Sequence, residues 1–156
     1  MITYLEAIKR GLTIDYIGLE GYPLDPNLIF ELKHLEQLQA EIESEAYKRI
    51  QTSDWDRTIK INPKFTLTKT EIMFEDYQEK EVVDLIYFDA FGARVQPELW
   101  TETIFKKMYA ALNNNGVIVT YAAKGSVRRA MQAVGFKVER LPGPPGKREM
   151  LRGIKQ

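Results

Sequence analysis

Cysteine is absent from this sequence, and histidine occurs once. Without cysteine there are no disulfides, no thiolate zinc sites and no cysteine nucleophile. The single histidine, His34, lies in a polar-rich helical stretch and reads as a surface residue. No cluster of His, Asp and Glu at metal-ligand spacing is found, so no metal site is expected. No apolar run approaches the roughly 20 residues that span a bilayer, and no charged-then-apolar leader is found. A reducing, cytoplasmic setting is the expectation. Excess charge of either sign is lacking too: 22 basic and 22 acidic residues give a formal net charge of zero. A nucleic-acid partner would therefore have to be held by a local basic patch and not by an overall field. Gly-x-Ser-x-Gly elbows, Walker-type loops and paired catalytic carboxylates are also missing.

What remains is the composition of an ordinary globular protein, with 44% hydrophobic and 28% charged residues over 156 positions. That length suits one domain, residues 1–156, with a real core. Ile2 to Arg10 reads as a helix closed by Gly11. Ile14 to Glu20 (IDYIGLE) is a nearly unalternated β-rich run, as expected of a strand buried on both faces. Asp25 and Pro26 open an amphipathic helix over Leu28 to Leu38, and Ile42 to Ile50 adds a second. Thr52 to Pro63 reads as a polar connection carrying Trp55. Phe65 to Lys69 alternates as a strand, and Val83 to Phe88 (VDLIYF) reads as a central parallel strand. Pro97 to Leu112 is helical and stops at Asn113-Asn114-Asn115-Gly116, after which Val117 to Tyr121 (VIVTY) forms a third central strand. A helix from Val127 to Val134 ends at Gly135. Phe136 to Leu141 and Glu149 to Ile154 then pair around a Pro/Gly-rich loop. Strands alternating with helices predict an α/β fold with a mostly parallel sheet and a C-terminal antiparallel strand.

Ligands of open α/β sheets bind beyond the carboxyl ends of the parallel strands. Three positions meet that rule. Glu20 ends the first strand, where a carboxylate can accept hydrogen bonds from both ribose hydroxyls of a nucleoside cofactor; a strand-end charge facing solvent accounts for it equally. Asp89 ends VDLIYF and is followed by Ala90-Phe91-Gly92. It stands where an acid meets a cleft and Phe91 offers a face to a planar ring; a helix or loop cap accounts for it equally. Tyr121 ends the third strand and either lines the same cleft or simply packs.

At Asp89 the sequence becomes familiar. Tyr87-Phe88-Asp89-Ala90-Phe91, followed by Gln96-Pro97-Glu98-Leu99-Trp100-Thr101, resembles the "DaF…PelWt" signature of the MnmC-like methyltransferase family. Thr120 to Gly125 with Val127-Arg128-Arg129 is similar to its "TYsa.g.vRr" segment. Ala133 to Phe136 resembles "aGF", and Pro142-Gly143 through Gly146-Lys147-Arg148-Glu149-Met150-Leu151 resembles "pG..gKReMl". Tyr16 to Leu24 is similar to "y.s.EkyPl". The resemblance covers nearly the whole chain, with little from Leu28 to Glu81.

The resemblance implies a Rossmann-like class I fold and S-adenosylmethionine as cofactor. It also implies methyl transfer to the aminomethyl nitrogen of a modified wobble uridine in tRNA. By position, Glu20 would hold the cofactor ribose. Asp89 would face the methyl-transfer centre and contribute to cofactor binding, with Phe91 beside the adenine or the substrate base. Tyr121 would line the cleft, and Lys147 and Arg148 would meet the RNA backbone. Lys124, Arg128, Arg129 and Arg140 would extend a basic patch. A separate FAD-dependent oxidoreductase is the implied partner, since no flavin module is present.

The departures set further expectations. Met1 falls inside the helix that follows the family's Gly-x-Gly loop, so the first strand and that loop are expected to be missing from this chain. Its neighbours, the Ile14–Glu20 and Val83–Phe88 strands, would then either show unpaired edges open to self-association or be forced together. Thr68-Lys69-Thr70 stands where an adenine-contacting acid is common, and Gly92-Ala93 where a proline is usual. Besides the tRNA methyltransferase, two alternatives stand: a non-catalytic remnant or partner-completed fragment, and a related class I methyltransferase acting on another amine or RNA.

Overall fold

The computed structural model describes residues 1–25, 28, 43–143 and 145–156. The chain forms two compact units, Met1–Met73 and Phe74–Gln156. The expected helix over Leu28 to Leu38, with His34, lies outside the described residues except for Leu28 itself.

In the first unit, helix α1 (Ile2–Arg10) ends where Gly11 takes a left-handed conformation, φ 66°. Gly11 N–H then bonds Ile8 O and Leu12 N–H bonds Ala7 O, the paired closure that a left-handed residue permits after a helix. The strands are β1 (Ile14–Glu20), β2 (Arg57–Asn62) and β3 (Phe65–Glu71), with helix α2 (Ser44–Thr52) between β1 and β2. Their order is β1-β3-β2, β1 parallel to β3 and β2 antiparallel to it. Tyr4 and Ala7 of α1 pack on Ile61, Phe65 and Leu67 to make the core. The Tyr4 ring meets Phe65 edge-on at 5.3 Å.

Two readings of this unit need correction. Strand β2 lies inside the stretch expected to be a polar connection. Its apolar residues, Ile59 and Ile61, are too few to mark a strand in sequence, and its register breaks between Lys60 and Asn62. Beside that irregularity the Arg49 guanidinium of α2 donates to two successive carbonyls, Lys60 O at 2.6 Å and Ile61 O at 3.0 Å. Strand β1, in turn, is not covered on both sides. It is an edge strand with Ile17 41% exposed.

The second unit contains β4 (Val83–Tyr87), a 3-10 turn (Pro97–Trp100), α3 (Glu102–Ala111), β5 (Leu112–Thr120), α4 (Gly125–Ala133), β6 (Lys137–Pro142) and β7 (Glu149–Ile154). The sheet order is β4-β5-β7-β6, with β4 and β5 parallel and the other pairs antiparallel. Phe105, Leu112, Ile118, Val127, Met131 and Leu151 are almost fully buried and form its core. The helix expected over Pro97 to Leu112 is broken at Thr101, whose backbone is extended and whose hydroxyl donates to Glu98 O at 3.2 Å. Strand β5 begins directly after α3, earlier than expected. Its Asn113–Gly116 stretch is a bulge: Val83 pairs with Leu112 but Leu85 with Val117. Gly116 is required there, because a Cβ would lie 2.7 Å from Asn113 O. Strand β4, expected to be central, is an edge strand with Leu85 and Tyr87 45% and 53% exposed. The final antiparallel pair is present as expected. Among the described residues no helix is long and apolar enough to cross a membrane.

The end of β7 is fastened by a buried lysine. Lys155 Nζ donates to Leu112 O at 2.7 Å, lies 3.5 Å from the Glu81 carboxylate and sits 5.2 Å over the Tyr109 ring. Replacing Lys155 with Met should leave the Leu112 carbonyl without its donor and cost about 1–3 kcal/mol. The expected result is a lower urea midpoint with an unchanged slope.

Candidate functional site

The carboxyl ends of β4 and β5 lie side by side because the two strands are parallel. Beyond β4, Phe88 N–H makes a last ladder bond to Val119 O at 2.9 Å, and the chain then turns away from the sheet. Asp89 is the first residue after that bond, and its side chain is exposed. Ala90 is buried, and Phe91 stands out with 72% of its surface exposed. Tyr121, just after β5, donates from its hydroxyl to Ala90 O at 2.6 Å. Trp100 donates from Nε1 to Phe91 O at 2.8 Å. The two rings meet edge to face at 6.0 Å.

From the loop between β6 and β7, the Lys147 ammonium is seated 3.6 Å from the centroid of the Tyr121 ring, within cation–π range. Burial raises the Tyr121 phenol above its ordinary pKa, and the nearby Asp89 charge adds to the rise. Asp89, Phe91, Tyr121 and Lys147 are thus gathered at one end of this sheet. Arg148 follows Lys147 in the same loop. Its backbone carbonyl accepts Gly143 N–H at 3.2 Å, and its side chain is exposed without a partner among the described residues.

The expected basic patch is only partly available. Arg140 lies 3.5 Å from Glu149, and the Arg128 Nε is buried with no hydrogen-bond partner among the described residues. Lys124 and Arg129, ahead of and within α4, are exposed.

Glu20 belongs to the first unit, at the carboxyl end of β1. Its Oε1 accepts the N–H of Tyr22 at 2.9 Å, which pins the carboxylate. Its other oxygen bonds none of the described residues. Beside it is a cavity of about 250 Å³ walled by Tyr16, Gly18, Phe65, Trp55 and Lys69. Lys69 Nζ donates to Gln51 O at 3.0 Å and lies 4.9 Å from the Trp55 ring. Burial lowers the Lys69 pKa, against the opposing pull of Asp54. A pinned carboxylate with one oxygen to spare, next to aromatic walls, has the chemistry that a ribose and a planar base require.

Sequence reasoning missed Trp55 and Trp100 as neighbours of these candidate sites, while Lys69 stands where the resemblance leads to an adenine-contacting acid. Trp100 was visible only as part of a motif, and no periodicity announces an indole aimed at a loop carbonyl.

A family model described as S-adenosyl-L-methionine-dependent methyltransferase matches residues 33–156. The chain belongs to this methyltransferase family. Similar curated proteins carry the description tRNA 5-methylaminomethyl-2-thiouridine biosynthesis bifunctional protein MnmC. The one from Actinobacillus pleuropneumoniae serotype 5b is 40% identical over 73 residues, 47% of this chain and 11% of that protein. The one from Nitrosospira multiformis is 29% identical over 153 residues, 96% of this chain and 25% of that protein. The methyltransferase chain thus spans a quarter or less of these two relatives. Among solved structures, MNMC2 from Aquifex aeolicus matches with a TM-score of 0.70 at 21% identity, covering 97% of this chain and 47% of that one. That likeness shows the Rossmann-like α/β fold, and the MnmC-like resemblance read from the motifs agrees with it.

The Asp89 charge should be detectable at Tyr121 without any ligand. In an Asp89→Asn variant the Tyr121 phenol should titrate at lower pH than in the parent, while still above an ordinary tyrosine because burial persists. Titration of ¹³Cζ-labelled tyrosine by NMR measures the change.

Proposed function

We propose that this methyltransferase-family chain uses S-adenosylmethionine to methylate the aminomethyl nitrogen of a modified wobble uridine in tRNA. The observation that carries the reading is the Asp89 cluster: an exposed carboxylate, an exposed aromatic ring and a seated ammonium at the carboxyl ends of two parallel strands. When bound, the cofactor supplies a sulfonium methyl group to a neutral amine. The Asp89 carboxylate orients that amine and takes up the proton it releases, a role worth about 10²–10⁴ in rate for a well-placed base. Phe91 offers its face to the adenine or the substrate base, and Tyr121 walls the same end of the sheet. Lys147 and Arg148 supply positive charge for RNA phosphates, with exposed Lys124 and Arg129 extending it. In the first unit, Glu20 accepts hydrogen bonds from the cofactor ribose. As the family resemblance implies, the amine would be produced by a separate FAD-dependent oxidoreductase in the same cytoplasmic compartment; the curated relatives are themselves described as bifunctional.

Isothermal titration with S-adenosylmethionine, followed by transfer of labelled methyl to tRNA carrying the aminomethyl uridine, tests this. Asp89→Ala should lower transfer at least 100-fold and leave cofactor affinity within a few-fold. Glu20→Ala should weaken cofactor binding about 10-fold or more, as expected for lost hydrogen bonds to a charged group. A folded sample that gives no heat with the cofactor would overturn the reading.

A second reading is favoured by the two edge strands. Parallel sheets normally have both faces covered, yet among the described residues β1 and β4 each pair with one strand only and expose Ile17, Leu85 and Tyr87. On this reading the chain acts only when another strand, from a second copy or another protein, covers these edges. Sedimentation equilibrium should then show concentration-dependent association. A chain that stays monomeric and binds cofactor alone rules the second reading out.

A further inference from the structure

The side chain of Asp89 is exposed and makes no hydrogen bond to the described residues, so its placement depends on the backbone that carries it. That backbone leaves the sheet after the Phe88–Val119 bond and is no longer held by a strand partner. Three carbonyls follow in succession, and each has a donor. Ala90 O receives the Tyr121 hydroxyl, Phe91 O receives Trp100 Nε1, and Gly92 O receives the N–H groups of Val95 and Gln96 at 2.7 and 3.1 Å.

The two side-chain donors are themselves immobilised. Trp100 is 6% exposed and packs edge-on against Phe88 at 5.2 Å and Phe105 at 6.4 Å. Tyr121 is wedged between the Trp100 ring on one side and the Lys147 ammonium over its face. Packing alone would be served by phenylalanine at both positions. What tryptophan and tyrosine add is a donor each, and both donors are spent on adjacent carbonyls of the segment that presents Asp89 and Phe91.

We propose that Trp100 and Tyr121 are positioning residues which, by bonding the Phe91 and Ala90 carbonyls, fix where the Asp89 carboxylate stands at the end of the sheet. This rests on the assignment of Asp89 to the active site, but its geometric part is independent of any activity. A loop anchored at both carbonyls has one arrangement, whereas a loose one samples several, and displacement of a reacting group by about 1 Å is enough to cost 100-fold in rate.

The decisive experiment measures how strongly the Asp89 charge is felt at Tyr121, as the difference in Tyr121 pKa between Asp and Asn at position 89, read by ¹³Cζ-tyrosine NMR. In a Trp100→Phe background, that difference should fall to less than half its value in the parent. A difference retained in full would overturn the proposal, because a Trp100 that merely fills the core has no reason to place Asp89. Should Trp100→Phe fail to fold, Tyr121→Phe, which removes only an oxygen, serves instead. Amide exchange at Val95 and Gln96 should then accelerate about 10-fold with β5 and β7 unchanged. Unchanged exchange, or uniform acceleration through the whole unit, would overturn it. In methyl-transfer assays Tyr121→Phe should lower kcat about 10-fold or more with the KM for tRNA within about twofold; a change confined to KM would count against positioning. If the parent chain transfers no methyl, the proposed function falls, and the NMR and exchange results still decide the positioning claim.

Discussion

A carbonyl beyond the end of a strand has no ladder donor, and the segment after β4 presents this at consecutive residues, Ala90 and Phe91. The second unit answers it with aromatic side chains brought from two different places, Trp100 from the 3-10 turn before α3 and Tyr121 from the end of β5. The arrangement ties the carboxyl ends of β4 and β5 to the helix layer, since Trp100 also packs on Phe88 and Phe105. Asp89 and Phe91, the exposed residues of the proposed site, follow Phe88 on a segment whose Ala90 and Phe91 carbonyls are bonded by Tyr121 and Trp100. Lys147 joins from a third element by resting on the Tyr121 ring. Function-bearing residues lie on loops, and rigidity comes from what those loops are bonded to.

The first unit applies the same rule to a different irregularity. Where β2 slips out of register, its carbonyls are bonded by the Arg49 guanidinium of α2. The helix is thereby fastened to the strand, and the sheet keeps its face against Tyr4 and Ala7. At the carboxyl end of β1, Glu20 is held by the Tyr22 N–H beside a cavity with aromatic walls. The carboxylate is placed by a local turn, not by the core.

Much of this was legible in the sequence. The bounds of α1, β1 and β7 follow directly from apolar runs and a terminating glycine, and the resemblance at Asp89-Ala90-Phe91 led to the family to which the chain belongs. Strand β2 was not legible, because two isoleucines in a polar stretch resemble a loop until a partner strand covers one face. The break at Thr101 and the bulge at Asn113–Gly116 were missed for a related reason. Each is a backbone irregularity stabilised by contacts outside its own segment.

Sequence alone determined the class of fold, the lack of any thiol chemistry and the residues at the strand ends where a ligand would be met, since composition, periodicity and motif order are local properties of the chain. Tertiary structure decided which of those residues meet. It gathered Asp89, Phe91, Tyr121 and Lys147 and added Trp100. It also left side chains of β1 and β4 exposed, although their apolar runs read as covered on both faces; their open edges were expected. Apolar content records what a strand can bury. Pairing depends on which neighbour is there to cover it.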